Sequence, residues 1–365
     1  MKRLPSALGM VCSVILVGPA VAQTYQQQSA FKFRVEGLAR QEWTYDIPRA
    51  EDDSRQLLRI LPRLDVNLKW LTLGAAGDFN YGSDRNYETP TGQSPTIIRD
   101  NYKSRDARVD LAFADYEGSF FRLQGGRFEM PVGLTEMIWD KDLRPQGGAL
   151  TLAARDDQGI EAFALTGLYA KGSHVFDDQE TEMFMAAGKL SFGTGQDSRF
   201  TFSASYLEWR HLDALELMIR RQNTRGPDGK LALDYKVVDL VARLRRGGAV
   251  ESGIVADYCW NTAESQNNKG LWLALLLGST ETAKGSLEYT YAKVDKDATV
   301  AAYNTDDFFW GTGWEGHRVD LGLKTGDRAS FHVVGHLQRF KDSPIPEDRD
   351  KWVKRLRLEV RVHGG

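Results

Sequence analysis

The sequence has almost no cysteine and no long apolar segment. Its 365 residues include two cysteines, Cys12 and Cys259. Cys12 lies in the expected leader described below, so the mature chain can form no internal disulfide. The longest apolar run after the N-terminus, residues 271–277, is far shorter than the about 20 residues that a helix needs to cross a bilayer. These absences exclude a multi-span helical membrane protein.

The sequence also lacks an excess of charge of one sign. Lys and Arg number 47 against 50 Asp and Glu, which gives a formal net charge of -3. A nucleic-acid partner is therefore not expected, because such partners require a basic surface. What the chain has in quantity is glycine (35 residues) and aromatic side chains (17 Phe, 13 Tyr and 9 Trp), a composition that favours a β protein.

The N-terminus has the pattern of a secretory signal peptide over residues 1–22. Lys2 and Arg3 precede an apolar core at residues 8–17, and Ala20-Val21-Ala22 form a small-residue cleavage site. The apolar core is too short for a membrane anchor, which is the alternative interpretation. We expect export, with the mature chain beginning at Gln23.

After Gln23 the apolar residues alternate with polar ones in segments of about ten residues, which is typical of half-buried strands. In one segment Val109, Leu111 and Phe113 alternate with Arg108 and Asp110. We predict sixteen strands, at residues 31–44, 55–68, 71–82, 105–116, 119–128, 148–155, 158–171, 181–193, 198–211, 233–246, 250–261, 269–280, 284–296, 316–327, 330–341 and 351–362.

Short turns and longer polar loops alternate between these segments. The clearest long loops span residues 83–104, 129–147, 212–231 and 297–315. This alternation predicts an all-β fold, a transmembrane antiparallel up-and-down β-barrel of about 16 strands over residues 23–365. A soluble sandwich would show the same alternation, so the leader, the strand count and the loop lengths are what favour the barrel. An even strand count leaves both termini on the periplasmic side.

One long loop, residues 129–147, combines ionisable and apolar residues. A loop of this kind can fold into a barrel, pack on the wall and narrow the lumen. An ordinary external loop is the alternative. The candidate constriction residues are Glu129, Glu136, Asp140, Lys141, Asp142 and Arg144.

Nine arginines are placed by the alternation on the polar face of the predicted strands, where they would line a pore. Basic side chains that line a pore favour anions, unless neighbouring acids such as Asp65, Asp110, Asp320 and Glu359 pair with them. Pairing is the simpler interpretation. The predicted pore-lining residues are Arg34, Arg59, Arg63, Arg108, Arg122, Arg318, Arg355, Arg357 and Arg361.

No motif indicates catalysis, a metal or a cofactor, so none is predicted. Gly311, Gly313 and Gly316 form a G-x-G-x-x-G pattern, but it opens a predicted strand rather than a helix and cannot act as a dinucleotide fingerprint. His332 and His336 are four residues apart in a predicted strand, which separates them by about 13 Å. That distance is too large for one metal ion.

The segment GRFEMPVGLTEMIWDKDLRPQGGAL at residues 126–150 resembles a bacterial outer-membrane porin family that is distantly similar to the phosphate-selective porins O and P. Shorter matches occur at Asp228-Gly229 and at residues 303–308. The resemblance implies a pore-forming barrel, and it suggests a homotrimer. The residues that carry it are Gly126, Arg127, Phe128, Pro131, Trp139, Asp140, Asp142, Leu143, Gly147 and Gly148.

We therefore predict an outer-membrane porin that lets small hydrophilic solutes or ions diffuse passively, with outer-membrane lipid around it. Two alternatives remain open on sequence grounds. The first is a barrel enzyme or adhesin that acts through its long loops, for which a catalytic triad or dyad would be the discriminating observation. The second is a soluble periplasmic β protein that binds glycans.

Overall fold

The computed structural model describes residues 30–48, 51–83, 105–155, 161–177, 180–195, 197–216, 223–248, 250–341, 346–349 and 351–364. The expected signal peptide, residues 1–22, lies outside them. The strands are β1 (Phe31–Tyr45), β2 (Asp53–Leu68), β3 (Leu71–Gly82), β4 (Asp106–Glu117), β5 (Phe121–Arg127), β6 (Gln146–Arg155), β7 (Glu161–Lys171), β8 (Glu182–Gly195), β9 (Ser198–Arg210), β10 (Tyr235–Arg246), β11 (Ser252–Asn261), β12 (Lys269–Gly278), β13 (Gly285–Val294), β14 (Trp314–Gly326), β15 (Ala329–Phe340) and β16 (Trp352–Val362).

The strands form one closed antiparallel barrel. Each strand pairs with its neighbours in sequence, and β1 pairs with β16, for example Gly37 opposite Val362. The predicted fold class and strand count are thus confirmed for the described residues, with every strand end within three residues of its predicted position. Closure gives every strand two partners, which satisfies the backbone groups that lipid could not hydrogen-bond.

The wall alternates as the sequence predicts. In β12 the outward Leu273, Leu275 and Leu277 are exposed, whereas Trp272 and Ala274 point inward and are buried. An outer surface of exposed leucine suits a hydrocarbon environment, because water would penalise such a continuous apolar band. The two short 3-10 helices, Leu212–Ala214 and Pro346–Asp348, lie in loops. None of the helices among the described residues is long and apolar enough to cross a membrane.

A β-bulge in β4 reverses the face of the residues that follow it, Leu111 and Phe113 among them. Ala76 pairs with Leu111 and Gly77 pairs with Val109, so Asp110 is the extra residue. A bulge of one residue reverses the alternation beyond it. Leu111 is therefore buried inside, and Phe113 lies inside under the Arg63 guanidinium, 5.4 Å from its ring centroid. The prediction that Leu111 and Phe113 share the outer face of Val109 is wrong for this reason.

Two loops fold into the barrel at the end opposite the short turns. Counted in chain order among the connections at this end, the third loop (residues 128–145) joins β5 to β6, and the seventh loop (residues 295–313) joins β13 to β14. Phe128, Met137, Phe308 and Phe309 are fully buried and belong to one apolar cluster with inward side chains of the wall. The sequence pattern predicts an external polar loop at residues 297–315, whereas the structure places this segment inside the barrel. Its apolar residues explain the difference, because water would penalise their exposure.

Candidate functional site

The third loop is held inside the barrel by contacts along its whole length. At its start Glu129 accepts a hydrogen bond of 2.8 Å from Arg63 Nη1. At its end Arg144 Nη2 lies 3.0 Å from Asp110 Oδ2. These contacts place Glu129 and Arg144, two of the predicted constriction residues, against the inner wall.

The centre of the third loop carries the other four predicted residues. Glu136 accepts a hydrogen bond of 3.0 Å from Arg318 Nη1, and Asp142 is ion-paired with Arg59. Lys141 Nζ lies 2.6 Å from Asp307 Oδ2 of the seventh loop. Asp140 also contacts the seventh loop, because its Oδ2 accepts from the Asp306 backbone N–H at 3.1 Å and its N–H donates to the Tyr303 carbonyl. All six predicted residues thus contact the inner wall or the seventh loop.

The tip of the third loop docks on the opposite wall. The Thr135 hydroxyl donates to Asp257 Oδ2 on β11, and both residues are buried. Trp139 stacks on Tyr303 of the seventh loop, with ring centroids 5.4 Å apart. The two loops therefore form one packed unit across the lumen.

Each of the nine predicted arginines has an acidic partner within 4.0 Å. The pairs are Arg34 with Asp65; Arg59 with Asp78 and Asp142; Arg63 with Asp65 and Glu129; Arg108 with Asp78; Arg122 with Asp115; Arg318 with Glu136 and Glu288; Arg355 with Glu42; Arg357 with Glu42 and Asp307; and Arg361 with Glu359 and Asp320. The basic face is thus compensated by acids of the wall and of both inserted loops.

Asp307 is the centre of the largest of these clusters. Its Oδ1 accepts hydrogen bonds from Arg40 Nη1 at 2.8 Å and from Arg357 Nη1 at 3.0 Å, and its Oδ2 meets Lys141. Burial raises the pKa of Asp307, but the three cations outweigh burial and lower that pKa well below its ordinary value. Asp307 is therefore ionised and ties the seventh loop to both the wall and the third loop.

Asp140 has the opposite electrostatic situation. Burial raises its pKa, and the neighbouring acids Asp306, Asp142 and Asp307 raise it further. The oxygens of Asp140, Asp142 and Asp306 lie within 4.8 Å of one another. Asp140 already accepts two backbone N–H groups and Asp142 already binds Arg59. The carboxylates of Asp140 and Asp142 are thus used by the protein itself, so the cluster does not indicate a metal site.

At the short-turn end of the lumen, a serine, a histidine and an aspartate are linked by hydrogen bonds in the same order as in a hydrolase triad. His332 Nδ1 is 2.7 Å from Asp320 Oδ1, and His332 Nε2 is 3.0 Å from Ser330 Oγ. Ser330 is 0% exposed, and its hydroxyl also lies 3.3 Å from His363 Nε2. A substrate carbonyl cannot approach this hydroxyl, so we interpret the arrangement as a structural hydrogen-bond chain.

A cavity of about 400 Å³ lies at the short-turn end, between the start of the third loop and strands β1 to β5. We call it the vestibule. Its floor is formed by Phe113, Phe128, Met130 and Pro131, and charged side chains surround it. Glu129 at its edge has 63% of its side chain exposed. The vestibule is therefore open to water and combines an apolar floor with a polar rim.

Sequence reasoning missed the seventh loop and with it Asp306 and Asp307. The available signal is the run Phe308-Phe309-Trp310, together with Val300 to Ala302, inside the segment 297–315 that the sequence analysis predicts as a polar loop. Three consecutive aromatic residues in an external loop would be exposed to water, and their burial requires a partner surface. The inner wall provides that surface.

Comparison with known proteins identifies similar sequences and folds. A family model described as "Putative porin" matches residues 30–217. The structure of Pseudomonas putida OprB at high pH is similar with a TM-score of 0.62 at 9% identity, covering 91% of this chain and 94% of that one. A variant of the Rhodopseudomonas blastica porin is similar with a TM-score of 0.50 at 10% identity, covering 91% and 99%. Among curated proteins no sequence matches this chain.

Proposed function

This chain belongs to the porin family whose model it matches over half of its length, and on that basis we propose how its barrel conducts. The protein is an outer-membrane porin with a closed barrel of sixteen strands among the described residues. We propose that small hydrophilic solutes and ions diffuse passively through the lumen, and that the third and seventh loops together form its constriction.

The observation that carries this proposal is the uneven lining of the lumen. The apolar parts of both loops pack on the inward side chains of β6 to β13, such as Leu168, Val237 and Trp272. The ionisable parts point to the strands on either side of the β1–β16 closure. Lys141 keeps 57% of its side chain exposed between the two loops. Water and solutes would therefore follow the charged side of the lumen.

The pairing of the arginines suggests weak ion selectivity. A basic ring attracts anions only if its charge is not compensated nearby. Here Arg318 lies between Glu136 and Glu288, and Arg361 between Glu359 and Asp320. We propose that the channel passes both cations and anions, with a small preference set by its most exposed charges.

Planar-bilayer recording of refolded mature protein under a salt gradient tests the proposal. We expect stepwise channels and a reversal potential close to zero. Heat-modifiable gel mobility shows independently that the sample is folded. Folded protein that forms no channels would contradict passive conduction, and a strongly anion-selective reversal potential would contradict the role given to ion pairing. Homotrimer formation stays a prediction, which the mass of the detergent-solubilised protein would test.

A further inference from the structure

The vestibule has the features of a binding site and not only of a water-filled entrance. Its volume of about 400 Å³ falls in the range of about 300–1,000 Å³ that is usual for small-molecule sites. Phe113, Met130 and Pro131 form the accessible part of its floor, whereas Phe128 is fully buried. An apolar floor in a conducting lumen costs free energy when it faces only water, and an apolar ligand body would cover it.

The charged rim of the vestibule is nearly, but not fully, neutral. Asp65 accepts from Arg34 Nη2 at 3.0 Å and from Arg63 Nε at 2.9 Å, and Glu129 takes the other end of Arg63. Arg122 is paired with Asp115 in the same way. Four cations thus face three acids around the cavity, and the net charge of the rim is +1.

Lys32 is the cation that leaves this excess. It lines the vestibule, is exposed, and has no ion-pair partner among the described residues. The other charged groups of the rim are already ion-paired with one another, so a ligand gains little by displacing them. A single negative charge on a ligand would complement Lys32 and neutralise the rim.

A second polar group of the vestibule, Gln124, requires a hydrogen-bond donor on the ligand rather than a negative charge. Gln124 lines the vestibule and is 6% exposed. Its Nε2 donates to Asp115 Oδ2 at 3.4 Å, whereas its buried Oε1 accepts no hydrogen bond. A buried acceptor without a donor is costly, and a hydroxyl or amide group of a ligand would supply that donor.

From these features we propose that the vestibule binds monocarboxylates with an apolar, preferably aromatic, body and a hydrogen-bond donor. The carboxylate meets Lys32, the ring covers the accessible parts of Phe113 and Met130, and the donor serves Gln124. Such a ligand would be held at the short-turn end of the channel before or after passing the constriction. This inference rests on the proposed function only in the experiments that measure channel current.

The probe is 4-hydroxybenzoate, compared with neutral 4-hydroxybenzamide and with acetate, which lacks the ring. We expect 4-hydroxybenzoate to block single-channel current at a concentration at least tenfold lower than either of the others. Lys32→Gln should raise its half-blocking concentration about tenfold, the effect of losing one charge-assisted hydrogen bond. Lys284→Gln makes the same charge change at an exposed turn outside the vestibule and should have no effect.

Equal block by the three compounds, or equal effects of Lys32→Gln and Lys284→Gln, would overturn the inference while leaving the channel itself intact. If the folded protein forms no channels, the proposed function fails, and isothermal titration of 4-hydroxybenzoate into the same refolded protein still tests the site. Heat release that Lys32→Gln reduces and Lys284→Gln does not would support the vestibule. Absence of binding to the original protein would refute it.

Discussion

Arg59 offers the sharpest test of how the third loop is held in the lumen. Its Nε and Nη2 bind both oxygens of Asp78, at 2.8 and 2.9 Å, while its Nη1 binds Asp142 of the loop. Asp78 has a second cation, because Arg108 Nη2 lies 2.8 Å from its Oδ2. Within the described part of the chain, Asp142 forms an ion pair with Arg59 alone. Arg59→Ala therefore leaves Asp142 as a buried charge without that partner, but leaves Asp78 compensated.

The expected magnitude follows from this asymmetry. Removing one partner of a buried ion pair costs about 3–5 kcal/mol, so docking of the loop in Arg59→Ala should weaken by roughly two to three and a half orders of magnitude. Asp142→Ala should cost only about 1–2 kcal/mol, because Arg59 keeps its two bonds to Asp78. The double variant has no unpaired charge on the loop and should resemble Asp142→Ala.

Amide hydrogen exchange measures this opening directly. The Asp140 backbone N–H donates to the Tyr303 carbonyl of the seventh loop at 2.8 Å, so this amide exchanges only when the third loop separates from the seventh. The decisive comparison is the sign of the coupling, since adding Asp142→Ala to Arg59→Ala should restore protection. If the double variant exchanges as fast as Arg59→Ala or faster, the reasoning about the unpaired carboxylate is wrong.

Three further predictions concern the same region. Lys141→Glu should shift the reversal potential toward cation permeation, because Lys141 is the exposed cation between the two loops. Lys284→Glu, in the exposed short turn between β12 and β13, should not shift it, and equal shifts would contradict this. Docking of the third loop should weaken as the pH rises from about 4 to the raised pKa of Asp140, because deprotonation of Asp140 favours the open loop. In Asp140→Asn, the amide exchange of the loop should no longer depend on pH in this range. Phe308→Ala should weaken packing of the seventh loop by about 3–5 kcal/mol and raise the conductance, since Phe308 is fully buried against Trp272. Unchanged amide exchange in the seventh loop would show that burial of Phe308 contributes little to its packing.

The strands were predictable because their signal is local. Alternation of apolar and polar residues has a period of two in any strand, and turn residues mark where each strand ends. The segment 71–82 was predicted with its exact bounds although its pattern is weak. Closure of the barrel was predictable from the even number of strands and from the alternation of short turns and long loops, without knowledge of any contact.

The inner face was predictable only up to the bulge. Arg59 and Arg318 point inward as the alternation requires, and both meet acids of the third loop. Leu111 and Phe113 do not follow the pattern, because one extra residue opposite Gly77 reverses their direction. A bulge of this kind is set by how two strands pair, and β4 carries no mark of it in its own residues.

The sequence by itself determined the barrel, since alternation, turn spacing and strand number are properties of neighbouring residues and lipid permits a β-sheet only when it is closed. It also identified the six ionisable residues of the third loop. The tertiary structure alone decided which charges meet. Asp307 is separated from Arg40 by 267 positions, and Phe308 became a core residue only because the wall enclosed it. Contacts between distant segments depend on the shape of the closed lumen, and no local pattern carries that information.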